Sequence, residues 1–181
     1  MYFVGLWSKK MKIASIVDST ALSQSIFYMN KTFNRLAEDS ISPFCFYVNL
    51  STQAIKSQFS TLNCYYAPHY SGGPILATSL STLAILINLN IKADKYFYCW
   101  DLEWLYLENP EAINYSDNIG LLNNAYITIV ARSKSHAELI ENYTNRTVNH
   151  IISDWDYEGI KGLCYGKSEN EYCERITSEV N

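Results

Sequence analysis

Short apolar segments alternate with polar or amphipathic segments along most of the chain. Six apolar segments predict β-strands, and most of them are apolar throughout, which is typical of strands buried on both faces of a sheet. They span Lys12–Val17, Phe44–Asn49, Leu62–Tyr66, Lys95–Trp100, Tyr126–Ala131 and Val148–Ile152. Because helices are predicted between successive strands, the pattern indicates an α/β fold with a doubly wound, mostly parallel six-stranded sheet.

Periodicity and capping residues predict the helices. After the first strand, Asp18-Ser19-Thr20 supply capping side chains, and apolar residues recur every three or four positions across Leu22–Leu36. Gly72-Gly73-Pro74 is typical of a helix start, so a long apolar helix is expected over about Ile75–Asn88. The other helices are expected from Ser133 to about Tyr143, after Pro110, and as a short helix at Glu169–Ile176.

Length and composition fit a single domain. The chain has 181 residues, of which 48% are hydrophobic, so one core is expected. We divide it into an N-terminal extension at 1–10, a Rossmann-like domain at 11–165, and a polar tail or helix at 166–181. The longest apolar run is short for a membrane span, and residues 1–10 are short for a signal peptide. We therefore expect a cytoplasmic protein without membrane contact.

Charge and cysteine content narrow the classes of function. A net charge of −4 disfavours a domain wrapped in nucleic acid, since such domains carry a basic stripe, but it leaves a local contact open. The five cysteines show no CxxC spacing and predict free, mostly buried thiols in a reducing compartment. The three histidines are scattered along the chain, so no metal site is expected.

Candidate chemistry lies in the loops after the predicted strands, because ligands bind at the carboxyl edge of a parallel sheet. Asp101 follows the fourth strand directly, between Trp100 and Trp104, with Glu103 two residues on. An acidic residue in an aromatic setting is a candidate general base, and helix capping is the alternative role for Asp101. Trp100 and Glu103 are candidate ligand contacts beside it.

The loop before the predicted long helix holds a second set of candidates. Gly72 and Gly73 at a helix start would present backbone N–H groups to an anion, or they form only a tight turn. His69 and Ser71 lie in the same loop, so all four residues are candidate substrate contacts beside Asp101. Neither GxGxxG after the first strand nor GxxxxGK followed by Ser or Thr occurs, which disfavours a dinucleotide or P-loop site.

Two stretches resemble glycosyltransferases of the GT-B fold. Within Tyr126–Gly159 a strand runs into Ser133, which opens a helix, and the next strand ends at Ser153-Asp154-Trp155-Asp156. This resembles the end of the family's N-terminal domain, although the Asn-Gly of its crossover loop is missing. Ser71-Gly72-Gly73-Pro74, a helix, and a strand ending in Trp100-Asp101 look like phage DNA glucosyltransferases that modify hydroxymethylcytosine. Asp101 matches their acidic residue, and Trp100 stands in place of their histidine.

The resemblance implies the acceptor-side half of a two-domain sugar transferase. Asp101 would remove a proton from an acceptor hydroxyl, and Ser133 would be a further substrate contact. No cofactor is expected on this chain alone. A UDP-sugar type of nucleotide sugar would be held by a donor-binding domain on a second polypeptide, or the chain would work as a homo-oligomer. The acceptor would be a nucleic acid or a sugar, and a phage protein of this kind would modify DNA in the host cytoplasm.

Two other classes of protein stay open. The chain could be a non-catalytic binding or regulatory module that kept the fold, because a fold does not define a function. A flavodoxin-like or nucleotide-binding protein is the third class, and the missing phosphate-binding motifs count against it.

Overall fold

The sheet is the frame of the molecule, and the computed structural model describes it within residues 11–52, 56–105 and 120–166. In that part of the chain, seven parallel strands lie in the order β3-β2-β1-β4-β5-β6-β7. They are β1 Lys12–Ser19, β2 Ser42–Asn49, β3 Ser60–Asn63, β4 Ile75–Ala77, β5 Lys95–Tyr98, β6 Ile127–Ala131 and β7 His150–Ile151. The strand order runs outward from β1 in both directions. This is a Rossmann-like, doubly wound α/β fold, which confirms the predicted class with seven strands in place of six.

Four described helices flank the sheet, and polar side chains cap their amino ends. They are α1 Gln24–Glu38, α2 Leu80–Asn88, α3 Lys134–Thr144 and α4 Tyr157–Cys164. Ser133 caps α3 as predicted, since its Oγ accepts a hydrogen bond from the His136 backbone N–H at 3.1 Å. Ser23 caps α1, not the predicted Asp18-Ser19-Thr20, because β1 continues through Ser19 before the chain turns.

The segment predicted as one long helix contains both a strand and a helix. Ile75–Ala77 forms β4, which pairs with β1 on one side and β5 on the other. The helix begins only after Ser79, where Ser79 and Thr82 exchange hydrogen bonds in a capping box. The long-helix prediction was therefore wrong, and this strand is the seventh member of the sheet.

Helices cover both faces of the sheet, so two apolar cores share its strands. One core lies under α2 and α3 and contains Phe97 and Ile129, and the other lies under α1 and α4 and contains Tyr98 and Trp155. Successive residues such as Phe97 and Tyr98 enter opposite cores because side chains alternate along a strand. The loops at the carboxyl edge are therefore held by two buried layers.

Other segments depart from the predicted pattern in smaller ways. β3 ends at Asn63, and a 3-10 turn at Cys64–His69 replaces the end of the predicted Leu62–Tyr66 strand. The helix α4 was not predicted; Asp156 caps it by accepting a hydrogen bond from the Gly159 backbone N–H at 3.0 Å. The helices predicted after Pro110 and at Glu169–Ile176, the extension at 1–10 and the tail from 167 onward lie outside the described residues.

The structure also shows whether the described cysteines are bonded and whether any described helix could cross a membrane. Cys45, Cys64, Cys99 and Cys164 are free thiols, as their spacing predicts, and Cys45 and Cys99 are buried. Burial raises the pKa of the Cys45 thiol to about 12, so this thiol is not a reactive nucleophile near neutral pH. None of the helices in the described ranges has the length and apolar character needed to cross a membrane.

Candidate functional site

A polar cleft opens at the carboxyl edge of the sheet, next to β1 and β4, where the strand order changes direction. Its volume is about 470 Å³. Hydroxyl and carboxyl side chains dominate the lining, which includes Asp18, Ser19, Ser23, Ser25, Thr78, Ser79, Asp101 and Glu103. Among the described residues that line the cleft, Arg132 is the one cationic side chain.

Two of the three cleft carboxylates bind the first turn of α2. Glu103 Oε2 accepts a hydrogen bond from the Leu80 backbone N–H at 3.0 Å, and Asp18 accepts one from the Ser81 hydroxyl. The free N–H groups at a helix start favour negative charge, so this turn is a natural place for both carboxylates. Their first role is therefore to hold α2 against the loops after β1 and β5.

The environment of Glu103 works against its charge. Burial raises the pKa of this carboxyl above its usual value, and the nearby negative charges of Asp18 and Asp101 raise it further. The hydrogen bond from Leu80 opposes this shift but does not cancel it. The cleft thus concentrates negative charge around one partly buried acid.

Asp101 stands apart from the other two carboxylates. Its side chain is exposed, and among the described residues no group donates a hydrogen bond to its carboxylate. The 3-10 turn at Glu103–Leu105 closes without it, because Leu105 N–H bonds to the Leu102 carbonyl. The alternative role of Asp101 as a helix cap is therefore not supported, and its carboxylate is available to a ligand.

Arg132, which sequence reasoning missed, is fixed in the middle of the site. Its guanidinium lies 3.8 Å from the centre of the Trp100 ring, and Nη2 forms an ion pair with Asp154 Oδ1 at 2.6 Å. Its Nε is buried and has no hydrogen-bond partner among the described residues. The stacked arginine covers Trp100, whose exposed fraction is only 8%, so Trp100 supports the site from below and offers a ligand little ring surface.

A second cavity, of about 480 Å³, adjoins the cleft across Trp100, Asp101 and Arg132, which line both. It lies over the carboxyl ends of β5, β6 and β7. Ser133, His136, Ser153 and Asp154 complete much of its lining. The two cavities therefore form one continuous polar surface, with Asp101 and Arg132 at its centre.

Asp154 reaches Arg132 from a strained turn. Asp154 and Trp155 have φ values of 45° and 59°, a conformation that costs roughly 1–3 kcal/mol per non-glycine residue. Buried hydrogen bonds hold the turn, because the Tyr98 hydroxyl donates to the Ile152 carbonyl at 2.8 Å and accepts from Trp155 N–H at 3.0 Å. The strain is thus balanced by the core and presents Asp154 in one orientation.

His136 is held as a neutral base on the far side of Arg132. Its Nδ1 accepts a hydrogen bond from the Arg132 backbone N–H at 3.3 Å, so the neutral ring carries its proton on Nε2. Burial lowers the pKa of His136, and the positive charge of Arg132 lowers it further, while the Asp101 carboxylate acts in the opposite direction. The ring therefore offers a ligand a hydrogen-bond donor.

Four predicted substrate contacts lie away from this cleft. Gly73 packs against the first residue of β1, where an added Cβ would lie 2.0 Å from the Lys12 carbonyl oxygen. Lys12 Nζ also donates to the Ser71 carbonyl at 3.3 Å. The loop thus enters β4 at the amino edge, opposite Asp101, so the structure does not bring His69, Ser71, Gly72 and Gly73 into the cleft beside Asp101. Gly72-Gly73 leads into a strand, so no helix start presents its N–H groups here.

The other predicted residues do meet at one edge of the sheet. Asp101, Trp100, Glu103 and Ser133 all follow the carboxyl ends of β5 or β6, although Ser133 already uses its hydroxyl to cap α3. Arg132 had the same signal in the sequence as Asp101, since each follows directly on a predicted apolar strand. Within the described residues, no group of three or more His, Cys, Asp or Glu side chains could hold a metal ion.

The fold and the cleft together define a Rossmann-like α/β protein with an acidic, hydroxyl-rich site at its switch point. No family model, characterised protein or solved structure matches this chain.

Proposed function

We propose that this chain is a glycosyltransferase-like acceptor-side domain whose cleft binds a neutral, hydroxyl-rich acceptor. The observation that carries the proposal is the exposed Asp101 carboxylate, free of hydrogen bonds within the described residues, at the rim of a cleft lined by hydroxyl groups. Carboxylates accept hydrogen bonds from sugar hydroxyls, and serine and threonine hydroxyls both donate and accept. A volume of about 470 Å³ suits a ligand of one or two rings.

The charge of the cleft favours a neutral acceptor over a phosphate group. In the described lining, three carboxylates face one arginine, and Arg132 is already paired with Asp154 at 2.6 Å. A nucleotide sugar would bring further negative charge into this surface, where like charges repel. We therefore assign the UDP-sugar type of donor to a separate donor-binding domain, on a second polypeptide or on another copy of this chain.

Asp101 would act as the general base of the transfer. Its carboxylate takes the proton of an acceptor hydroxyl while that oxygen attacks the anomeric carbon of the donor sugar. The new C–O bond forms as the bond from the anomeric carbon to the diphosphate oxygen breaks, and the diphosphate leaves with the electron pair. The His136 ring N–H and the Arg132 guanidinium, which line the same cavity as Asp101, would orient the acceptor.

The test uses a matched pair of variants at opposite edges of the sheet. Asp101→Asn removes the base, and Asp94→Asn makes the same change at an exposed position just before β5, far from the cleft. Partner proteins are first recovered by their binding to the wild-type chain. The assay then measures the transfer of sugar from UDP-sugars to hydroxymethylated DNA and to oligosaccharides. Transfer should fall about 10²–10⁴-fold in Asp101→Asn and stay unchanged in Asp94→Asn. Equal transfer by both variants would exclude Asp101 as the base.

A non-catalytic binding module is the second candidate. It is favoured by the structural use of Asp18 and Glu103, which both bind the first turn of α2 and leave Asp101 as the one unengaged carboxylate in the described part of the cleft. In that case the chain would bind a saccharide, and Asp101→Asn would weaken binding, but no partner would restore transfer. The same assay therefore separates the two candidates.

A further inference from the structure

A third cavity lies beneath α1, on the face of the sheet opposite α2. Its volume is about 300 Å³, and α1, β1, β2 and β3 contribute its walls. It adjoins the polar cleft, because Val17 and Ile26 line both spaces. Its lining is more apolar than that of the cleft, so we expect it to bind a different kind of ligand.

The walls of this α1 cavity are mainly apolar. Met29, Tyr47, Leu50 and Phe59 supply much of the surface, and the described residues that line the cavity include no Asp, Glu, Lys, Arg or His. A charged ligand would lose its hydration without gaining a counter-ion. Aromatic and thioether walls instead favour contact with a flat ring.

One polar side chain in the cavity has a fixed orientation and spare donors. The Gln58 backbone N–H donates to Asn34 Oδ1 at 2.7 Å, so Asn34 must present its amide nitrogen to its other neighbour. Asn34 Nδ2 accordingly donates to Asn30 Oδ1 at 3.0 Å. Asn30 is therefore left with Nδ2 as its free end, and no acceptor for it exists among the described residues. Asn30 as a whole is only 6% exposed and lines the cavity wall, where its amide group can meet a ligand.

Thr20 provides a second donor on the same wall. Its Oγ1 accepts a hydrogen bond from the Ser51 backbone N–H at 2.8 Å, which leaves the hydroxyl hydrogen without an acceptor in the described part of the chain. Thr20 is 7% exposed and lines the cavity with Asn30. A ligand with an acceptor would gain a hydrogen bond from one of these donors at a site with little surrounding water.

We propose that the α1 cavity binds a small, uncharged aromatic ring that bears a hydrogen-bond acceptor, either a carbonyl oxygen or a ring nitrogen, bound by Asn30 Nδ2. The volume is about twice that of the ~150 Å³ cavities that hold benzene, which suits one ring with a substituent or two fused rings. This inference does not depend on the sugar cleft or on any transfer reaction.

The experiment compares two probes of equal size on the full chain by NMR. Acetophenone carries a ring and a carbonyl acceptor, and isopropylbenzene has the same number of heavy atoms without an acceptor. Acetophenone should shift the side-chain amide signals of Asn30 and the methyl signal of Met29, and it should bind about tenfold more tightly than isopropylbenzene. The proposal would be overturned if neither probe shifted the Asn30 and Met29 signals, or if both probes bound with equal affinity.

Two variants locate the effect. Asn30→Asp keeps an oxygen for Asn34 but removes the free donors, so the preference for acetophenone should disappear. Cys45→Met fills the cavity from its buried side and should abolish binding of both probes while Asn30 is retained. Asp101→Asn should change neither result, so failure here and failure of the proposed transferase are told apart. If Asn30→Asp does not fold, the two probes on the wild-type chain still decide the question.

Discussion

Glu103 contributes a carboxyl group whose charged form is disfavoured in the folded chain. Because burial raises its pKa in the folded state, the stability it contributes is fully present below the ordinary glutamate pKa of about 4.3 and is lost as pH rises through the raised value. Glu103→Gln keeps an oxygen for the Leu80 N–H and stays neutral. Urea unfolding should show the variant more stable than wild type near neutral pH, with the difference vanishing near pH ~4. Glu138→Gln, the same change at an exposed position, serves as the control, and a lower stability of Glu103→Gln than of wild type at neutral pH would contradict this expectation.

His136 reports on the charges around it. The positive charge of Arg132 lowers the pKa of this imidazole, and the negative charge of Asp101 raises it. Asp101→Asn should lower the pKa of His136 further, and Arg132→Gln should raise it. NMR titration of the His136 ring measures both shifts, and Asp94→Asn at the opposite edge serves as the control. Identical titration curves in all three variants would show that Asp101 and His136 do not share one site.

At the scale of an element, the turn after β7 depends on a backbone conformation that most residues avoid. Asp154 has φ 45° and ψ 43°, which glycine and asparagine tolerate better than alanine. Asp154→Gly, Asp154→Asn and Asp154→Ala all lose the ion pair with Arg132, so their differences report on the backbone. The alanine variant should be less stable than the other two by about 1 kcal/mol in urea unfolding. Glu158 lies inside the helix α4 and serves as the control. There the order of stability should reverse, and Glu158→Ala should be more stable than Glu158→Gly.

The elements that sequence predicted best are those with an unambiguous period. The helix α1 shows apolar residues at three- and four-residue steps, and β1, β2, β5 and β6 are continuous apolar runs. The strand Ile75–Ala77 was not predicted because three residues are too few to show a period, and because Gly-Gly-Pro before an apolar run resembles a helix start. The correct signal was present one turn later, in Ser79 and Thr82, which form the capping box.

At the scale of the molecule, the site was predictable only where its loops follow well-defined strands. Asp101 and Ser133 come after β5 and β6, so the rule for parallel sheets placed them correctly. The loop from His69 to Gly73 was misplaced because overlooking β4 moved the loop from one edge of the sheet to the other. The α1 cavity could not have been predicted, because Asn30, Thr20 and Phe59 meet there only through tertiary packing.

Gly73 lies just before β4 and packs against the start of β1, so substitutions at Gly73 test whether β4 pairs with β1. Its neighbour in space is the Lys12 backbone at the start of β1, and an added Cβ would lie 2.0 Å from that carbonyl oxygen. Backbone atoms cannot move aside cheaply, so Gly73→Ala should lower the free energy of unfolding by at least about 1–3 kcal/mol. Gly162, within α4, has open space around it, and Gly162→Ala should raise that free energy by up to about 1 kcal/mol. If β4 were instead the first turn of a helix that Gly72-Gly73 opens, Gly73 would be free of β1. Thermal unfolding would then show both substitutions as harmless, and the strand order around β1 would have to be revised.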